Sequence, residues 1–171
     1  ENSSTLGVDP AQNDTVSDAG AVYVFVRNAG VWTQQAFLKP AGVGTTQLGD
    51  SFGKSVALSG NTLVVGATGE DSSTLGVNSA ANESASASGA AYVFVRSGTV
   101  WSEQQKLVAS DGMADDRFGG AVSVSGDTAV VGAWHADTAG GVERAERDDV
   151  VRSEHGGRSR LRREEVEAPL V

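Results

Sequence analysis

The sequence contains no cysteine and only 3 prolines. Without cysteine the chain has no disulfide framework, no thiolate metal site and no cysteine nucleophile. No apolar run approaches the roughly 20 residues that a membrane helix needs, so no membrane span is predicted. Positive charge is scarce as well: the net charge is −9 at pH 7, which argues against nucleic acid as a partner.

What the sequence does contain is glycine, at 22 positions, together with valine-rich runs and stretches of Ser, Thr, Asn and Ala. Valine-rich runs bounded by glycine and small polar residues are typical of short strands joined by turns. The composition therefore predicts an all-β fold.

The most informative feature is that the chain repeats itself. GAVYVFVRNAGVW, from Gly20, matches GAAYVFVRSGTVW, from Gly89, at nine of thirteen positions. A second pair follows, DSFGKSVALSGNTLVVGA at 50–67 and DRFGGAVSVSGDTAVVGA at 116–133. The offsets are 69 and 66 residues. A period of this size indicates stacked structural units.

One unit is predicted to contain four antiparallel strands, at 53–59, 62–67, 90–97 and 100–108. Gly60-Asn61 and Gly126-Asp127 are hairpin turn signals, because these residues tolerate positive φ. The third strand is apolar on both faces, with Tyr92 and Phe94 on one and Val93 on the other, so both faces need covering. Stacked four-stranded sheets, the blades of a β-propeller, provide that cover. A β-sandwich with a tandem duplication is the alternative.

The Phe-Gly pairs at 52–53 and 118–119, each followed by Val-Gly-Ala at 65–67 and 131–133, resemble FG-GAP repeats. Such repeats form the blades of the integrin α-subunit propeller and of many bacterial secreted proteins. The resemblance covers residues 1–139 and implies an incomplete FG-GAP-type β-propeller. The proline of the motif is absent, since Thr68 and Trp134 stand in its place. The tight SGNT and SGDT turns also replace the calcium loop of integrins, so that calcium site is not implied.

The repeat divides the chain into expected parts: a half blade at 1–49, a full blade at 50–115, the first hairpin of another blade at 116–139, and a tail. The start at Glu1 and the unfinished unit are read as a fragment of a longer propeller. From Gly140 onward 15 of 32 residues are charged and none is aromatic. The tail at 140–171 is expected to be a disordered or weakly helical segment, or an out-of-frame reading of a former blade.

No catalytic or cofactor-binding constellation is found, and His135 is the only histidine of the repeat region. The long loops offer oxygen ligands for Ca²⁺: Asp9, Asn13, Asp14 and Asp18 in one copy, and Asp71, Asn78, Asn82 and Glu83 in the other. Of these, Asp71, Asn78 and Glu83 are the calcium candidates. The alternative, favoured because acids do not alternate strictly, is a solvated polar loop. Asp50 and Asp116 are expected to cap turns, and Trp32 and Trp101 to pack between blades.

The resemblance implies a non-enzymatic binding or adhesion module at the cell surface or outside the cell. Its expected partners are the remaining blades of the propeller and a protein or glycan ligand, which would meet loops 1–18 and 68–88. Two alternatives remain: a propeller hydrolase or lyase with its catalytic residues outside these 171 residues, and a purely structural spacer.

Overall fold

The chain is described here by a computed structural model, which covers residues 1–13, 15–41 and 48–136. These residues contain eight strands and no helix: β1 Val22–Asn28, β2 Val31–Leu38, β3 Phe52–Ser59, β4 Thr62–Ala67, β5 Ala90–Ser97, β6 Val100–Leu107, β7 Phe118–Ser125 and β8 Thr128–Ala133. The predicted strands are confirmed to within a residue at each end. The charged tail at 140–171 lies outside the described residues.

The strands form three antiparallel sheets. The first sheet is β1-β2, the middle sheet is β3-β4-β5-β6, and the third sheet is β7-β8. The predicted Gly-Asn and Gly-Asp turns are confirmed, since Ser59 pairs with Thr62 and Ser125 with Thr128 across two-residue connections. Gly60 and Gly126 both have positive φ there, at 58° and 54°. The fold is all-β, as predicted, with the order of strands expected for propeller blades.

The middle sheet is covered on both faces. On one face Tyr92 and Phe94 are packed with Val22 and Leu38 of the first sheet. On the other face the apolar residues of β4 and β5 are packed with residues of the third sheet: Val64, Ala91 and Val93 against Phe118, Val122, Val124 and Val131. The prediction that a strand apolar on both faces lies between two like sheets is therefore confirmed for the second copy.

The first copy differs from this prediction. Tyr23 and Phe25 are exposed, although they occupy the positions of the buried Tyr92 and Phe94. The reason is physical: in the part of the chain that the structure describes, no sheet packs on that face of β1 and β2. The same cause explains Val56 and Leu58 of β3, which are exposed because the first sheet has only two strands and covers only part of the middle sheet.

Each Phe-Gly pair joins its sheet to the preceding one. The Phe52 N–H donates to the carbonyl oxygen of Ala19 at 3.0 Å, and the Phe118 N–H donates to that of Ser88 at 3.0 Å. The following glycines have φ near 90°, and a Cβ on Gly119 would lie 2.3 Å from the carbonyl oxygen of Ala90. Glycine at these positions therefore permits the close approach of the two backbones.

The sheets have two unlike ends. At one, called here the turn end, two-residue turns close all four hairpins. At the other, the loop end, the long connections gather, including 68–89 between β4 and β5 and 108–117 between β6 and β7. No helix long and apolar enough to cross a membrane occurs in the described residues. Because the long connections meet at the loop end, that end is the candidate functional surface.

Candidate functional site

Two long loops dominate the loop end and have the same backbone path. Loop A is residues 1–19 and loop B is residues 70–88; Asp14, a calcium-ligand candidate of loop A, lies outside the described residues. Loop A forms a bridge between Val8 and Leu38, and loop B forms the corresponding bridge between Val77 and Leu107. Each loop thus lies along the last strand of its own sheet.

Side chains fix both loops in the same manner. An Oδ1 atom of Asp9 accepts the Phe37 N–H at 2.7 Å, and Oδ1 of Asn78 accepts the Lys106 N–H at 3.0 Å. Further along, Oδ1 of Asn13 and of Asn82 each accept a backbone N–H of the loop start at 3.0 Å. Since short polar side chains hold turns in this way, the loops are ordered surfaces.

Beneath loop B lies a buried ionic cluster that the sequence analysis did not find. Glu70 is paired with Lys106, whose Nζ lies 2.6 Å from its Oε1. Ser72 also donates to Oε1, and the Tyr92 hydroxyl donates to Oε2 at 3.2 Å. Burial, followed by the charge of Glu70, raises the pKa of Tyr92 well above its usual value. The cluster is internally hydrogen-bonded and anchors loop B to the sheet.

The first copy has a related anchor built from a different lysine. Nζ of Lys39 lies 3.1 Å from Oε2 of Glu1 and 2.6 Å from the carbonyl oxygen of Gly20. The residue aligned with Lys106 is Phe37, which packs against Tyr23 at 5.0 Å between ring centroids. The recurring sequences ENSSTLG and EDSSTLG were the signal for these anchors. The lysine partners give no such signal, because they differ in position.

A carboxyl group close to this cluster has a strongly shifted pKa. Asp50 is buried, and burial raises its pKa from 3.8 to about 8, with further increases from the charges of Glu70, Glu83 and Asp71. The equivalent Asp116 accepts the Met113 N–H at 2.7 Å, so its predicted role as a turn cap is confirmed. For Asp50 the corresponding turn includes residues outside the described ranges.

The calcium candidates of loop B are distributed along the loop framework. Asp71 accepts the Ala87 N–H at 2.6 Å through Oδ1, and Oδ1 of Asn78 accepts the N–H of Lys106 in β6. Glu83 lies on the exposed part of the loop. Among the described residues no three His, Cys, Asp or Glu side chains come together as a metal site. Asp71, Asn78 and Glu83 stay untested calcium candidates, and the solvated polar loop stays the favoured alternative.

A shallow depression of about 420 Å³ opens between loop A and the start of β3. Its lining includes the charged residues Glu1, Asp18 and Lys54 and the aromatic ring of Phe52. The remaining lining residues are glycines and Ser51, so the depression is lined mainly by charged side chains and backbone. His135 is elsewhere, beside Trp134 with ring centroids 3.8 Å apart.

Trp101 connects the first and middle sheets, as predicted for a packing residue. Its Nε1 donates to Oε1 of Gln35 at 3.0 Å, and the guanidinium of Arg96 lies 5.5 Å from its ring centroid. Trp32, at the equivalent position of the first sheet, is exposed. The packing prediction is confirmed for Trp101 and is wrong for Trp32 in this structure, because no neighbouring sheet covers it among the described residues.

The family model of the FG-GAP repeat matches residues 32–94 and 101–145, together more than half of the chain. The chain belongs to the FG-GAP repeat family. A search of curated proteins and a search of solved structures gave no significant match. The FG-GAP assignment agrees with the stacked antiparallel sheets, and with the Phe-Gly pair at the start of β3 and of β7.

Proposed function

We propose that this FG-GAP chain is part of a non-enzymatic binding or adhesion module that recognises a protein or glycan through loops A and B. The observation that carries the proposal is the asymmetry of the two ends. Among the described residues, the long connections 68–89 and 108–117 lie at the loop end, while two-residue turns close the four hairpins at the turn end. Loops on a rigid scaffold are where proteins place recognition residues.

The order of the loops supports this role. Loops A and B are held by equivalent Asx hydrogen bonds and by one ion pair each, which is buried in loop B and partly buried in loop A. A surface that is ordered before binding loses less conformational entropy on binding. Leu6 and Leu75 are exposed at equivalent positions of the two loops, among Ser, Thr and Asn side chains. Such a mixed surface suits a protein or glycan partner.

The absence of catalysis is part of the proposal. Its support is that the ionisable groups nearest the loops are engaged with one another. Glu70 accepts from three donors, and Lys106 donates to both Glu70 and Ser72. Groups paired in this way serve the fold. A location at the cell surface or outside the cell is proposed on the resemblance to secreted FG-GAP proteins.

The test is binding of the labelled full chain to a glycan array and to immobilised extracellular-matrix proteins. Leu6→Asp and Leu75→Asp change the loop end, and Val100→Asp, at an equally apolar exposed site near the turn end, is the matched control. Loss of binding in the loop variants alone supports the proposal. Binding that persists in the loop variants, or no binding on either panel, contradicts it and favours a structural spacer.

A further inference from the structure

Loops A and B each present one exposed leucine at the same point of the loop. Leu6 is 45% exposed and Leu75 is 47% exposed. The glycine that follows each leucine has a φ of +86°. The carbonyl oxygen of this glycine accepts the N–H of the residue directly after the last strand of the sheet, at 2.8 Å in loop A and 3.0 Å in loop B. The backbone thus holds both leucines in the same position.

The exposure of these leucines is a property of the loops and not of the chain ends. Leu6 is exposed although the complete following unit, the middle sheet with loop B, is present. Leu75 is exposed although the preceding strands β1 and β2 and loop A are present. Val77 differs, because it is exposed while its equivalent Val8 is packed against the core. The exposure of Val77 therefore depends on the following sheet, whereas that of the two leucines does not.

The exposed charges at the loop end are negative. In the described residues of loops A and B and of the connection 108–117, the exposed charged residues are Glu1, Asp9, Asp18, Glu83, Asp111 and Asp115. The basic residues there are less accessible: Lys39 and Lys106 are buried in ion pairs, and Arg117 is partly buried. Lys54 of β3 is exposed and lines the depression beside loop A. The surface around the loops is therefore acidic.

An acidic residue lies close to each exposed leucine. In loop A, Asp9 follows Leu6 by three residues and is exposed. In loop B, a Cβ on Gly112 would lie 3.8 Å from Cδ2 of Leu75, so the turn at 109–112 lies against that side chain. Asp111 belongs to this turn and is exposed. Each loop thus combines an aliphatic side chain with a neighbouring carboxylate.

We propose that the ligand of loops A and B is a basic segment of a protein. Its apolar side chains contact Leu6 and Leu75, and its Lys or Arg side chains face the acidic residues around them. The inference rests on the proposed function, because it names the partner of the same surface. Complementary charge favours this partner, and like charge disfavours polyanions such as acidic glycans. A neutral glycan offers neither positive charge nor aliphatic side chains.

One segment can contact both loops. Stacked sheets lie about 10 Å apart, and an extended segment of about 12 residues reaches roughly 40 Å. A segment that crosses both loops meets the leucine twice, and the second contact is then intramolecular, which raises the overall affinity. Because the loops are ordered before binding, most of the entropy cost is that of ordering the partner.

Three peptides of about 12 residues test the proposal by fluorescence anisotropy with the full chain. The first contains several leucines and lysines separated by serines, the second has glutamate for every lysine, and the third has serine for every leucine. The leucine–lysine peptide is expected to bind saturably and about tenfold more tightly than either of the others, since each of them lacks one complementary feature. Its affinity is expected to fall several-fold at high salt, because the charges are exposed.

Matched variants locate the contact on the chain. Leu75→Ser is expected to weaken binding about threefold to tenfold, the effect of losing half of a buried leucine side chain. Val100→Ser, at an exposed site near the turn end, is its control and is expected to bind as the unmodified chain does. Asp111→Asn is expected to weaken binding at low salt and reduce the salt dependence. Asp127→Asn, the same change at the turn end, is expected to do neither.

Circular dichroism checks that each variant keeps the fold. Equal binding of the three peptides, no binding of the leucine–lysine peptide, or equal effects of the loop-end and turn-end variants overturns the proposal. The glycan array and the matrix proteins are measured separately. If one of them yields a ligand that depends on Leu6 and Leu75 while the basic peptide does not bind, recognition by the loops stands and the basic partner is wrong. If every probe fails, both proposals are wrong.

Discussion

Tyr23 and Tyr92 occupy the same position in two nearly identical strands, yet Tyr23 is 43% exposed and Tyr92 is fully buried. Their flanking residues are the same from 23 to 27 and from 92 to 96. The difference is set by the neighbouring sheet alone. Tyr92 lies between the first and middle sheets, and its hydroxyl reaches Glu70. Whether a repeated residue is buried or exposed in this fold therefore depends on which sheets lie beside its own.

The buried ion pair between Glu70 and Lys106 predicts a large loss of stability when one partner is removed. Lys106→Met leaves Glu70 buried without its cation, and such changes cost about 3–5 kcal/mol. Urea unfolding followed by circular dichroism measures the loss. In the double variant Glu70→Gln/Lys106→Met both charges are gone, so its stability should lie well above that of the single variant. Equal stabilities of the two variants would contradict this account.

The raised pKa of Asp50 predicts that the free energy of unfolding falls as pH rises. Its pKa is about 8 in the folded protein and 3.8 in the unfolded chain, so the folded state binds more protons between these values. The free energy of unfolding therefore decreases from about pH 4 to pH 8, by up to about 1.4 kcal/mol per pH unit from this group. Urea unfolding across the range measures the slope.

Asp50→Asn should remove this contribution and make the pH dependence shallower. Asp127→Asn, the same substitution at an exposed hairpin turn, is the control, because it removes a carboxyl group that is not buried. If both variants retain the slope of the unmodified protein, Asp50 is not its source.

The substitution Gly89→Ala is predicted to cause an unusually large loss of stability. Its φ is +84°, and an added Cβ would lie 2.2 Å from the carbonyl oxygen of Phe118. Gly76→Ala is the matched control, because Gly76 has a φ of +86° and no atom within 4 Å of such a Cβ. The control should lose only the roughly 1–2 kcal/mol of left-handed strain. Gly89→Ala should lose more, measured as the difference in urea midpoint, and an equal loss would argue against the close approach.

Calcium is expected to leave the protein unchanged. Asp71 and Asn78 use their oxygens to accept backbone hydrogen bonds, and a hard cation needs six to eight oxygen ligands. Isothermal calorimetry with Ca²⁺ should show no binding heat, and the melting temperature should be the same with Ca²⁺ and with a chelator. A saturable heat that disappears in Asp71→Asn would establish the site at loop B.

Much of the fold could be predicted because local signals agreed with the repeat. The two-residue turns at Gly60 and Gly126 and the strand bounds both follow from residue types at fixed spacing. The exposure of Tyr23 and Trp32 could not be predicted, because it depends on whether a neighbouring sheet is present. Sequence identity between copies says nothing about that.

The interior of the loop end was harder to predict. Glu70 belongs to a motif that recurs in the other copy, but its partner Lys106 has phenylalanine at the aligned position. A buried ion pair needs two side chains that are distant in sequence, and only the three-dimensional register brings residue 106 below residue 70. The shifted pKa of Asp50 follows from the same burial, so it could not be predicted from the sequence either.

The one-directional stacking of the sheets has a consequence for repeat number. Each additional unit covers the exposed face of the unit before it and leaves an equivalent face of its own exposed. A row that stays open keeps two exposed outer faces at any length, and only a row that closes into a ring covers both of them. The number of units therefore decides whether the apolar faces of the outer sheets are buried or remain available for aggregation.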